Sequence, residues 1–346
     1  MMKIKKVIRY VLLVLTGLLL ISALLYHELI SYGIAQLRGQ MHIIQNAKPI
    51  EEVLADPTCP DSIRSKLLLI AEIRKFAIDS LGLKDSKNYS TFYDQQGKPV
   101  LWVLTACEAF SMKPYQWKFP FLGAVSYKGF FIRDNGIPEQ NRLKAEGYDT
   151  EFSPTGGWST LGWFRDPVLS NMLRRNEGNL AELIIHELTH STVYLPGSVD
   201  YNENLATFIG EQGALRFLRS KYGSESEELK KYTGRQKDEE VYGDYMVNAC
   251  KQLDSLYSSM AKDQDIQKMQ LQKYFFIKDL ILGINQLPLN YPERYRFEFP
   301  GDHLPNNAWF MGFYRYRSSQ STFQRDLLAL RGDLKLFVKQ IVASVK

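Results

Sequence analysis

Ala181-Glu182-Leu183-Ile184-Ile185-His186-Glu187-Leu188-Thr189-His190 is the stretch on which the reading of this chain turns. Its composition and spacing are helical, and a helix places residues four apart on one face, about one turn from each other. His186 and His190 therefore present two imidazoles side by side, a spacing that lets both nitrogens hold one Zn²⁺ at about 2.0–2.1 Å. Glu187 lies beside that face, where a carboxylate can take a proton from an attacking water and return it to a leaving group. An HExxH of this kind is expected by chance on the order of four times in a thousand chains of this histidine content.

A catalytic zinc takes three protein ligands and keeps one position open. After His190 the only remaining histidine is His303, so the third donor is sought among carboxylates. Glu203, in Tyr201-Asn202-Glu203-Asn204-Leu205-Ala206, opens the next helical stretch. Pro196-Gly197 between the two stretches marks a turn that folds the second helix back on the first. Glu203 then completes a His2Glu set for one zinc, with Glu211, two turns on, as the runner-up.

Working outward, residues 28–55 read as a helical stalk. Asp61–Leu83 reads as an amphipathic helix with Ile63, Leu67, Ile70, Ala77 and Leu81 near one face. From Tyr89 the period shortens: Tyr89–Tyr93 and Val100–Ala106 predict a hairpin around Asp94-Gln95-Gln96-Gly97-Lys98. Gly123–Ile132, Tyr148–Phe152 and Gly157–Leu161 predict further extended pieces, so residues 89–162 hold a small sheet. Asp166-Pro167 reads as a helix start with Pro in the first turn. Beyond it, Asn179–Tyr194, Asn202–Tyr222, Glu225–Met260, Ile266–Ile284, Asn306–Tyr316 and Phe323–Val345 carry helical spacing or composition.

The N-terminus adds a targeting signal. Lys3, Lys5, Lys6 and Arg9 precede Tyr10–Tyr26, 17 residues without a charge, long enough to predict a single transmembrane signal anchor. The positive-inside rule keeps the basic tail cytoplasmic and sends the rest to the extracytoplasmic, periplasmic side of the membrane. The expected domains are residues 1–28 (tail and anchor), 29–86 (stalk) and 87–346. The last comprises the sheet 89–162, the zinc helices 179–222 and a C-terminal helical part 223–346.

Composition excludes several classes. Of 346 residues, 45% are hydrophobic and 23% charged, a globular balance. There are 43 basic and 38 acidic residues, and without the four N-terminal cations the counts are 39 and 38. A body so nearly neutral has no electrostatic footprint for a nucleic-acid backbone. No glycine-rich phosphate loop occurs, so no nucleotide cofactor is expected. Three widely spaced cysteines exclude a disulfide framework.

HExxH followed by an NExxA helix resembles the gluzincin type of zinc peptidase. More closely, the chain resembles the bacterial predicted-aminopeptidase family. The residues that carry this are Tyr127-Lys128-Gly129-Phe130-Phe131, Ser159-Thr160-Leu161-Gly162-Trp163-Phe164, Asp166-Pro167-Val168-Leu169, His186-Glu187 and Asn202-Glu203 with Ala206, together with Gly39-Gln40 and Asn306-Asn307-Ala308. The resemblance implies a membrane-associated zinc peptidase with His186, His190 and Glu203 as ligands and Glu187 as base, acting at the free N-terminus of a peptide or protein. The chain departs from well-studied gluzincin aminopeptidases in having no GxMEN segment for the α-amine and a gap of 13 positions between His190 and Glu203.

In zincins an edge strand before the zinc helix pairs with the substrate backbone. Trp158–Trp163 is where that strand should lie, with Ser159 and Thr160 lining the cleft. His303, Tyr314 and Tyr316 are candidate oxyanion donors, and Asn306 and Asn307 candidate peptide-backbone ligands. The expectation is an α+β zincin-like metallopeptidase, a small sheet plus a larger helical part behind one transmembrane helix. Its rivals are a zinc endopeptidase on cell-envelope or secreted proteins and an inactive, membrane-anchored interaction protein.

Overall fold

The structure, a computed structural model, describes residues 12–13, 16–17, 24–119, 123–155, 166–260, 265–296, 304–317 and 319–345. The chain divides into two units, Met1–Asn46 and Ala47–Lys346. The described part of the first unit is chiefly helix α1, His27–Asn46. The single-pass anchor expected at Tyr10–Tyr26, and the extracytoplasmic placement drawn from it, are not borne out. Among the described residues no helix is long and apolar enough to cross a membrane. Most of Tyr10–Tyr26 lies outside the described residues, and α1 itself carries His27, Glu28, Arg38 and His42 among its apolar positions.

The second unit is α+β and mostly helical. It runs β1 (Lys48–Pro49), α2 (Ile50–Ala55), α3 (Asp61–Leu81), β2 (Thr91–Tyr93), β3 (Trp102–Glu108), β4 (Trp117–Phe119), β5 (Gly123–Val125) and β6 (Lys128–Phe130). It continues with α4 (Ile137–Ala145), β7 (Tyr148–Pro154), β8 (Val168–Leu169), α5 (Glu177–Thr192), α6 (Val199–Tyr222), α7 (Glu227–Ser259) and α8 (Ile266–Ile284). Helices α9 (Asn307–Arg317), α10 (Gln320–Ala329) and α11 (Leu334–Val345) close the chain.

The one small sheet expected over residues 89–162 is, among the described residues, three separate sheets: β1-β2-β8, β6-β3-β7 and β4-β5. The predicted hairpin does not form. β2 pairs antiparallel with β1 and parallel with β8, Phe92 standing opposite Val168, whereas β3 pairs with β6 and β7. The reason lies in the polar turn after β2: Gln95 takes a hydrogen bond from Asn171 N through Oε1 and its own N–H donates to Ser170 Oγ. That turn is thereby tied to the chain just after β8 rather than closed on β3. Asp166-Pro167 starts no helix; it leads directly into β8.

Helix α5 is central. Asn176 caps it, its Oδ1 accepting from Asn179 N at 3.0 Å, and Glu177 sits favourably in its first turn. Leu180, Ala181, Ile184, Ile185 and Leu188 are fully buried, and each large one contributes about 1.5–3 kcal/mol of apolar burial. The helix packs on α3, α6 and α7, most extensively on α6. A second apolar cluster, Met246, Leu253, Ile277, Leu280, Ile284 and Phe310, joins α7, α8 and α9. The single C-terminal helix predicted over Phe323–Val345 is two, because Arg331 and Gly332 adopt positive φ of 55° and 78° and break it.

Candidate metal centre

The approach of α6 to α5 is set by small residues. Glu203, Ala206, Gly210 and Gly213 fall three or four apart and so share one helical face. At Gly213 a Cβ would stand 2.9 Å from both Ile185 Cδ1 and Leu81 Cδ1. Ala206 is wholly buried. Beyond Glu203, Ala206, Gly210 and Gly213 keep this face small, so the two helices lie close and the first turn of α6 arrives over the second half of α5.

The loop between them is clamped. Asn202, 3% exposed, accepts from Leu195 N at 2.9 Å and donates to Leu195 O at 2.8 Å. Asn204 donates to Asp200 O at 2.8 Å and accepts from Ser319 N at 2.9 Å. Glu203 is held between these two anchored asparagines. The asparagine of the NExxA stretch thus acts on the turn and the glutamate on the site.

The three predicted ligands meet. His186 Nε2 and His190 Nε2 are 3.1 Å apart, and Glu203 Oε2 lies 3.4 Å from the first and 3.6 Å from the second. Ligand atoms bound tetrahedrally to one zinc are about 3.4 Å from each other, given bonds of about 2.0–2.1 Å. The observed triangle fits that size, and two imidazoles with one carboxylate suit the ion. Glu211 groups instead with Glu182 and Glu239.

The electrostatics agree. Burial alone would raise the Glu203 carboxyl, but the hydrogen bonds and charges of His186 and His190 outweigh it and hold Glu203 well below the ordinary carboxylate range. Burial likewise opposes a charged His190, yet the Glu203 bond and charge, with the charges of Glu187 and Asp166, raise its pKa above the ordinary histidine value. Glu187 is 7% exposed, and its Oε2 is buried with no hydrogen-bond partner among the described residues. A buried oxygen left in that state beside two histidines is what a site poised for a further group presents.

The remaining predicted residues fall elsewhere or outside the described part. Ser159, Thr160 and His303 lie outside the described residues, as does the side chain of Tyr316. Tyr314 is 37% exposed on α9. Asn306 caps α9 through Ala308 N at 3.0 Å and donates to Thr150 O on β7 at 3.0 Å. Asn307 is fully buried, donating to Glu108 O and Ala109 O and accepting from Tyr257 Oη at 2.7 Å. Both asparagines join α9 to the β6-β3-β7 sheet.

Sequence reasoning missed Asp166 and Tyr89. Asp166, taken there as a helix start, is completely buried, and so is Tyr89, whose hydroxyl has no hydrogen-bond partner among the described residues. Burial, then the charges of Glu187 and Asp166, push the Tyr89 hydroxyl well above its ordinary pKa. No local spacing relates either residue to the HExxH helix, because each reaches α5 only through the tertiary fold.

No curated protein and no solved structure gives a significant match, so the zincin-like fold expected from the sequence gains no support from those comparisons. A family model described as "Putative aminopeptidase" matches residues 31–345. The chain belongs to that family.

Proposed function

We propose that this chain is a zinc-dependent aminopeptidase whose ion is held by His186, His190 and Glu203 and whose general base is Glu187. The convergence of three ligand atoms into a triangle of tetrahedral-zinc size carries the reading. Membership of the family supplies the peptidase class, and with it peptides as substrates. When bound, the ion would supply a Lewis acid that polarises a scissile carbonyl and makes a water acidic near neutral pH.

The protein's own groups do the rest. Glu187 follows His186 directly, and its buried Oε2 is available to accept the proton of the attacking water and pass it to the departing amine. His190 is buried and Glu203 only slightly exposed, which limits bulk water at the ligands and strengthens the charge interactions there. The Asn202 clamp fixes where Glu203 enters the site.

Replacing Glu187 by Gln tests the assignment, since the amide keeps the shape and loses the base. Turnover of a peptide substrate should fall on the order of 10²–10⁴-fold while zinc content stays unchanged. Undiminished turnover would remove Glu187 from the mechanism.

A further inference from the structure

The ring of His190 has two edges. Nε2 faces His186 and Glu203, so Nδ1 points the other way, into the protein, where it is buried and without a hydrogen-bond partner among the described residues. A metal-bound imidazole ordinarily donates its second N–H to a carboxylate or carbonyl, which fixes the tautomer and the ring plane. The structure therefore raises the question of which group serves this nitrogen.

We propose that Asp166 is the positioning residue of the metal site, its carboxylate taking the Nδ1–H of His190 when the ion is bound. This rests on the metal reading given above. Asp166 is 0% exposed, and Asn88 ties it to the residue that follows His190. Asn88 Nδ2 donates to Ser191 Oγ at 3.0 Å and reaches Asp166 Oδ2 at 3.5 Å, while Asn88 Oδ1 accepts from Asp166 N at 3.2 Å. Ser191 is the residue after His190 and is itself bonded to Glu187 O at 3.2 Å. One asparagine thus ties the aspartate to the helix turn that bears both the ligand and the base.

The backbone is bent to make this tether. Tyr89 N donates to Asp166 O at 2.7 Å, and Lys87 and Tyr89, on either side of Asn88, have positive φ of 57° and 59°. Side chains other than glycine rarely adopt that conformation, and a fold keeps it where the surroundings repay it. Here it buries Asn88 and Tyr89 together.

The test uses the full chain, zinc alone as the probe, and two readouts other than turnover. In zinc-loaded wild type, nitrogen–proton correlation spectra should show His190 as the Nδ1–H tautomer with a slowly exchanging proton, and the Asp166 carboxyl carbon resonance should move on zinc addition. D166N should lose the protected proton and bind zinc 10–100-fold more weakly by chelator competition, with its secondary structure retained. Should D166N not fold, the wild-type spectra decide: an exchange-exposed Nδ1 or a still Asp166 resonance overturns the proposal. Equal zinc affinity and an unaltered His190 signal in folded D166N overturn it while leaving the metal reading intact. A wild type that takes up no zinc overturns both.

Discussion

Gly210 stands against the carbonyl of Glu182: a Cβ at residue 210 would lie 2.9 Å from that oxygen and 3.3 Å from the Cβ of His186. The contact is between backbones, so no side-chain rotation relieves it. It sets how near α6 comes to α5, and through that how near Glu203 comes to the histidines.

Gly210→Ala should therefore damage both stability and the site. Overpacking costs about 1–3 kcal/mol, against about 0.5–1 kcal/mol regained from the better helix propensity of alanine. The expected result is a net loss in urea denaturation and at least about a tenfold loss of zinc affinity, since 1.4 kcal/mol of displaced ligand geometry is a factor of ten. An alanine variant as stable and as tightly zinc-binding as the wild type would show that this contact is not what sets the helix spacing.

Asn202→Ala should act on the turn. It removes both hydrogen bonds to Leu195, leaving Leu195 N without this acceptor while Leu195 O keeps its bond from Ser198 N, a cost of about 0.5–1.5 kcal/mol per lost bond. Thermal denaturation should register it in the metal-free protein, where the loss cannot be attributed to zinc. An unchanged midpoint would mean that the turn is held by other contacts.

The cysteines offer a check on the fold that is independent of the site. Burial, with Asp149 next in effect, pushes the Cys107 thiol up to about 12, and burial does the same for Cys250, also to about 12. Cys59 is only partly buried. Thiolate is the reactive form, so a thiol reagent at pH 8 should modify Cys59 promptly and the other two only on unfolding, which mass spectrometry of digested samples would resolve. Prompt labelling of Cys250 would contradict the packing of α7 against α9.

An aminopeptidase needs a free α-amine. A short peptide and its N-acetylated twin should therefore be cleaved at clearly different rates, the free peptide faster. Equal rates on both would replace the exopeptidase assignment by an endopeptidase one.

Much of the site was legible because its logic is local. His186 and His190 are one turn apart on one helix, and Pro196-Gly197 marks a reversal that sends the next helix back, so Glu203 follows from spacing and a turn. What places that second helix is less local: Gly210 is visible only as a glycine inside a helical stretch, and its partner, the Glu182 carbonyl, belongs to another element. Asp166 was misread for the same reason. Asp-Pro is a good helix opening by propensity, but pairing of Val168 and Leu169 with β2 takes the chain into a strand, and the aspartate is drawn beneath α5. The Tyr89–Tyr93 and Val100–Ala106 pair shows the limit of strand reading, since alternation identifies strands and says nothing of which sheet each joins. The anchor was read from hydropathy at the N-terminus, and among the described residues no helix meets that requirement.

Zinc content per chain, measured beside Glu203→Ala after equal exposure to zinc and removal of loosely held ion, separates a built metal site from a chance meeting of side chains. About one zinc per wild-type chain is expected, and an affinity in the variant lower by orders of magnitude. A wild type without zinc, or a variant that holds it as tightly as the wild type, would contradict the His186, His190 and Glu203 site.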